Sequence, residues 1–264
     1  MILFGRPLLP MLLTMLLVAL PLTAQNGHTV PLPEVSGVRI PLEVFHNVLT
    51  RGLDTLVPPP LRGPVRVIRD GLARHLEVEA LSSATAERLL PRLDDATIST
   101  LASWSQSPTG LKLARAVRSL SMQEGQASFR RYEEWVRHIR PSHRRQLLLE
   151  RLDQNLGATT LSRRVLLPFV DTLLAAANLR LPAAERLSMA EVQRIVRTVH
   201  PRVSKAIDQS YRAHWLYIFQ SLTNDELQSY NELIESTAGS RFTGALRQVL
   251  CDFLEVTLRQ TLDR

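Results

Sequence analysis

The chain has 264 residues and a single cysteine, carries a formal net charge of +7 at pH 7, and is 45% hydrophobic but only 5% aromatic. A lone thiol excludes an intrachain disulfide framework, so packing alone must hold the fold, and a chain of this length buries a real core as one large or two small domains. All but two of the 32 basic residues are arginine, Lys112 and Lys205 being the exceptions; codon composition in a GC-rich genome accounts for that bias better than selection for phosphate forks, although a positive surface still favours anionic lipid or acidic glycans.

In chain order, residues 1–24 read as a secretory signal peptide, with Arg6, an apolar run from Leu8 to Leu22, and then the small residues Thr23 and Ala24. The run is shorter than the roughly 20 residues a bilayer-spanning helix needs. Cleavage is expected after Ala24, even though Leu22 is bulky for the position three before a cut, and the location is expected to be periplasmic or secreted. Because the sole cysteine is Cys251, a lipoprotein is not expected, and outside the cytoplasm nucleic acid is not an expected partner. Cys251 itself, among Leu250, Phe253 and Leu254, reads as a packed thiol.

Residues 25–40 read as an extended leader. A first helical unit over 41–140 opens with Val44, Phe45, Val48, Leu49, Leu53 and Leu56 at steps of three and four, one apolar helix face, which the prolines at 58–60 stop. "GPVRVIRDGLARHLEVEAL" and "SATAERLLPRL" follow as helices, then a short helix that starts at Asp94 or Asp95 and stops at Ser107. Residues 108–140 are expected to form one long helix weakened at Gly125. Connecting helices occupy 141–187: Ser142 caps a helix expected to continue past Gly157 and to kink or break at Pro168. The second unit, 188–264, contains "SMAE" at 188–191 and "TNDE" at 223–226, two capping boxes that mark helix starts. Strand alternation is absent, so the expected fold class is all-α, a bundle-like helical array built from two related helix-corner-helix units.

The relation between the units is an offset of 129 residues, which pairs Ser107 with Ser236, Gly110 with Gly239, Leu93 with Leu222, Ala116 with Ala245 and Arg118 with Arg247. It also pairs Ile98 with Leu227, Leu101 with Tyr230, Trp104 with Leu233, Leu113 with Phe242 and Val117 with Leu246. Such a register points to duplication. In each copy the serine is placed to cap the second helix, and the glycine falls at its third position, where a missing Cβ lets the preceding helix cross closely. A helix opening with Glu-Leu or a near equivalent, an aromatic position, then Ser-x-x-Gly before Lys or Arg resembles the exported bacterial family known as domain of unknown function 2059. The pattern is carried by Glu226, Leu227, Tyr230, Ser236, Gly239 and Arg241 within 222–249, and more loosely by Ile98, Trp104, Ser107, Gly110 and Lys112 within 93–120, where Thr97 replaces the glutamate. The resemblance implies a small helical module of the Gram-negative envelope and brings no assigned catalytic residues.

Chemical motifs are sparse. No Gly-x-Ser-x-Gly string occurs. Thr109 and Lys112 imitate the Ser-x-x-Lys spacing of penicillin-binding enzymes without its companion elements, and Glu134 and His138 lie one turn apart as a metal pair would, but as easily as a surface ion pair. Glu124, Glu133, Glu134 and Glu150 are the carboxylates on offer for glycoside hydrolysis. The densest aromatic cluster makes Tyr211, His214, Trp215 and Tyr217 a candidate binding groove, with Trp215, Ile218 and Phe219 expected to enter the core. Arg137, Arg140, Arg144 and Arg145 form a candidate anionic-surface contact. No catalytic, cofactor or metal residues are assigned. The leading expectation is a non-enzymatic exported scaffold that binds an envelope protein or peptide, followed by an anionic-lipid or membrane-surface binder and then by a cell-wall hydrolase.

Overall fold

The computed structural model describes residues 39–262 apart from 52 and 74–77. The expected signal peptide, and the leader as far as residue 38, lie outside the described residues. The first helix, α1 (Arg39–Arg51), takes in the last two residues expected in the leader. The reason is local: Arg39 Nε donates to Glu43 Oε1 at 2.6 Å one turn along, and Ile40 is 1% exposed. Pro41 is tolerated because a first-turn amide has no intrahelical partner to lose.

After the short α2 (Leu53–Leu56) comes α3 (Pro59–Ala73). The prolines end one helix, as expected, but two of them also begin the next, since proline's fixed φ suits a helix's first turn. In α4 (Val78–Leu89) the boundary expected after Leu81 does not exist; the Thr85 hydroxyl donates to the Leu81 carbonyl at 2.7 Å and the helix runs on to a 3₁₀ turn at Pro91. Asp94 caps α5 (Asp95–Ser105), accepting from the Thr97 amide at 2.8 Å. The long helix expected over 108–140 is instead α6 (Pro108–Ser121) and α7 (Gln123–Trp135), followed by a 3₁₀ turn. Ser142 caps α8 (His143–Leu156), as expected. The next break falls at Gly157, the only described residue with positive φ, at 64°, and not at Pro168, which sits inside α9 (Ala158–Leu179). Pro168 and Arg164 are both exposed, so water can hydrate the Arg164 carbonyl that the proline leaves unbonded. Both capping boxes form, at the starts of α10 (Met189–Ile218) and α11 (Asn224–Glu235), and α12 (Thr237–Leu262) closes the described chain.

No strand occurs among the described residues, and the fold is an all-α array. Its centre is the pair α9 and α10. Leu166, Val170, Leu173, Leu174 and Ala177 of α9 are completely buried, as are Val203, Ile207 and Ile218 of α10. Each of these leucine, valine and isoleucine side chains contributes about 1.5–3 kcal/mol of burial. Around this pair, α1 lies on both α9 and α10, α3 on α9, and α12 on α4, α5 and α9, while α11 packs on α8. A single apolar cluster therefore runs from Ile40 to Leu250.

Candidate functional site

The two Ser-x-x-Gly corners have the same construction. The Gly110 amide donates to Ser107 Oγ at 3.1 Å, and the Gly239 amide donates to Ser236 Oγ at 3.1 Å. A Cβ on Gly110 would come within 3.0 Å of the Trp104 carbonyl oxygen, and one on Gly239 equally close to that of Leu233, in both cases the residue six positions earlier. Gly125 repeats this relation to the Ser119 carbonyl at the α6–α7 corner, with Met122 at the cap and no side-chain hydroxyl. The glycine expected to weaken one long helix thus allows a third corner.

The corners also face each other. Lys112, two residues past Gly110, donates to Glu226 Oε1 at 2.5 Å, while Arg241, two residues past Gly239, pairs with Asp94. In each case a cation behind one corner reaches an acid at the amino end of the other unit's first helix. The Lys112 bond holds the Glu226 carboxyl below its usual range, and the hydrogen bond from Thr97, aided by Arg241, does the same for Asp94. Trp104 and Tyr230 pack against each other, tilted by 32°, with centroids 5.0 Å apart. Lys112 is therefore engaged in an ion pair, the place it takes instead of the penicillin-binding spacing.

A cleft of 530 Å³ opens between α8, the first turns of α9, and α10. Of the four expected groove residues, Tyr211 and Trp215 line it. Tyr211 is tied to Ser162 by a 2.8 Å hydroxyl contact, and burial pushes its phenol upward. His214 lies elsewhere, fully buried: its Nδ1 is 2.8 Å from the Ser210 carbonyl, its ring packs tilted against Phe129 with centroids 4.3 Å apart, and its Nε2 stands 3.5 Å from Glu43 Oε2. Burial would raise the Glu43 carboxyl, but the combined pull of His214 and Arg39 holds it below its usual range. Tyr217, half-buried, packs edgewise on Phe129 and Tyr132. A helix turns about 100° per residue, so four neighbouring aromatics cannot share one face. Ile218 and Phe219 enter the core as expected.

The cleft's polar centre is Asp153, which the sequence reading passed over. Asp153 Oδ1 accepts from the Thr159 hydroxyl at 2.9 Å, the Thr159 amide at 3.3 Å and Trp215 Nε1 at 3.3 Å. Among the described residues none donates to Asp153 Oδ2. Burial raises the carboxyl above its usual range against those three donors, and neighbouring Asp208 adds to the rise. Glu150 lies one turn earlier on the same wall, and Arg163, paired with Asp208, lines the opposite side. The available signal was "DQNLGATT": an acid whose bonds to Thr159 close over the left-handed Gly157, a turn that is hidden when the helix is expected to run on.

The basic run is partly committed to the fold. Arg145 donates to the carbonyls of Phe219 and Leu222 and to Asn224 Oδ1, closing the carboxyl end of α10, and Arg144 pairs with Asp225 at 2.7 Å. Arg140 is exposed, and the Arg137 side chain is outside the described residues. Among the described residues no three His, Cys, Asp or Glu side chains gather as a metal site would require, and no helix is long and apolar enough to cross a membrane. No family model matches the chain, and neither a curated protein nor a solved structure matches it.

Proposed function

We propose that the protein is a non-catalytic, exported helical scaffold that holds an extended segment of an envelope protein in the cleft between α8, α9 and α10. The observation that carries this reading is the combination of an open cleft, a Tyr211–Trp215 floor, and one carboxyl oxygen of Asp153 without a partner among the described residues. Aromatic area provides affinity at small entropic cost, and a single oriented polar group provides register. The proposed location rests on the signal-like pattern of residues 1–24 and on the resemblance of the two corners to the exported 2059 family. We also infer that 93–120 and 222–249 descend from one duplicated element. The ion pairs support this at the cations, Lys112 and Arg241 being equivalent under the offset of 129 and each reaching the amino end of the other segment's first helix, although the acids they meet, Glu226 and Asp94, are not equivalent positions.

The test is a photo-crosslinking residue at Gln154, on the cleft lip, compared in living cells with one at exposed Thr100 on α5. The scaffold reading expects a discrete protein adduct from Gln154 and none from Thr100. Absence of an adduct at Gln154 would remove it. A second reading, a cell-wall hydrolase, draws on the raised Asp153 beside Glu150, because a glycosidase keeps one carboxyl protonated. Release of soluble fragments from peptidoglycan, abolished in both Asp153→Asn and Glu150→Gln, would favour it over the scaffold.

A further inference from the structure

A second concavity, of 370 Å³, lies between the amino end of α3 and the middle of α10, and its chemistry differs from that of the cleft. Its accessible lining is apolar, from Leu56, Pro58, Pro59 and Ile195, above the almost completely buried Val57 and Val199. Its rim carries three guanidinium groups, those of Arg62, Arg194 and Arg202, and none of the residues lining it is Asp or Glu. Arg194 and Arg202 are eight residues apart on α10, two turns along one stripe, so they flank the floor from the same side. Arg62 is fixed opposite them, its Nε donating to the Val57 carbonyl at 3.2 Å and its terminal nitrogens left over.

Of the three, Arg62 and Arg202 have no acid partner among the described residues. Arg194 is partly offset by Glu191 one turn before it, whose Oε2 also accepts from the Ser188 amide at 2.8 Å and the Ser188 hydroxyl at 2.7 Å as half of the capping box. Arg202 enters no ion pair among the described residues. Three like charges converging over a hydrocarbon floor favour an anion that brings its own apolar body. Inorganic phosphate satisfies the rim and leaves the floor wet. A volume near the lower end of the usual ligand range, about 300–1,000 Å³, suits one alkyl chain and not the two of a phospholipid.

We propose that this trough binds a free fatty acid, with the carboxylate forked by Arg62 and Arg202 and the proximal chain laid along Leu56, Pro58 and Ile195. The site is separate from the cleft and does not depend on the scaffold reading.

The test is calorimetric titration of the protein, as the producing cell processes it, with three amphiphiles of one chain length: dodecanoate, dodecanol and dodecyltrimethylammonium, all below their micellar concentrations. Expected is one dodecanoate bound per chain, with the neutral and cationic forms weaker by about tenfold or more, the discrimination a charge-assisted fork provides. The Arg62→Gln/Arg202→Gln variant, altered at two exposed side chains, should keep its Tm and lose dodecanoate affinity by a similar factor. Ile195→Trp, which fills the trough, should abolish binding while leaving the arginines in place. Equal binding of all three head groups, unchanged affinity in the double variant, or binding confined to anionic vesicles would overturn the proposal, the last in favour of a membrane surface.

Discussion

Asp153 is pulled in two directions. Three donors stabilise its charge through Oδ1, while burial and the nearby Asp208 oppose it, and burial prevails. A carboxyl whose folded pKa lies above its ordinary value of 3.8 favours the native state while protonated, and that contribution is lost as pH rises through the folded value. Asp153→Asn keeps an acceptor for Thr159 and Trp215 without the charge. Its Tm should match that of the parent near pH 3 and exceed it at pH 7, as thermal melts across that range would read; a variant less stable at pH 7 would mean that the hydrogen bonds outweigh the burial. Glu43 shows the opposite balance. There the interactions with His214 and Arg39 together outweigh desolvation, which is why a buried carboxylate can join α1 to α10.

At the level of the element, the corners depend on what a Cβ would strike. Gly110→Ala and Gly239→Ala should each cost about 2–3 kcal/mol, because the obstacle is the backbone carbonyl of the preceding helix and cannot swing aside. Gly71→Ala in α3 meets nothing within 4 Å, and should stabilise by about 0.5–1 kcal/mol through helix propensity. Urea unfolding of the three variants reads both signs at once. The Ser107 and Ser236 corners were legible because a hydroxyl, a spacing of three and a glycine coincide. The Met122 corner lacks the hydroxyl, so Gly125 looked like a weak point within one helix. The same contrast separates Gly157 from Pro168. Proline is a conspicuous helix breaker, yet it is tolerated on an exposed face, whereas the left-handed turn at glycine depends on its neighbours' packing.

Across the whole molecule, the division into 41–140, 141–187 and 188–264 describes the order of the chain and not separable cores. α12 packs on α4, α5 and α9, and α10 on α1. With one continuous apolar cluster, calorimetry should give a single transition whose van't Hoff and calorimetric enthalpies agree. Two transitions would show that the units fold independently. The ion pairs that join the corners, Lys112 with Glu226 and Arg241 with Asp94, are partly exposed, so they specify how the units meet more than they stabilise the meeting.

The sequence by itself determined the elements whose signals are local: the all-α class, the capped starts at Asp94, Ser107, Ser142, Ser188, Thr223 and Ser236, and the apolar stripe of α1. Each follows from residues within two turns of one another, where backbone geometry and a nearby side chain suffice. Tertiary structure decided the rest. Asp153 becomes a cleft centre through Trp215, 62 residues away, and Arg145 becomes a helix-end clamp through carbonyls 74 and 77 residues on. His214 leaves the groove because Glu43 waits on α1. Partners so distant are chosen by how the faces of helices pack, and a period of 3.6 residues says which face is apolar but not which face it meets.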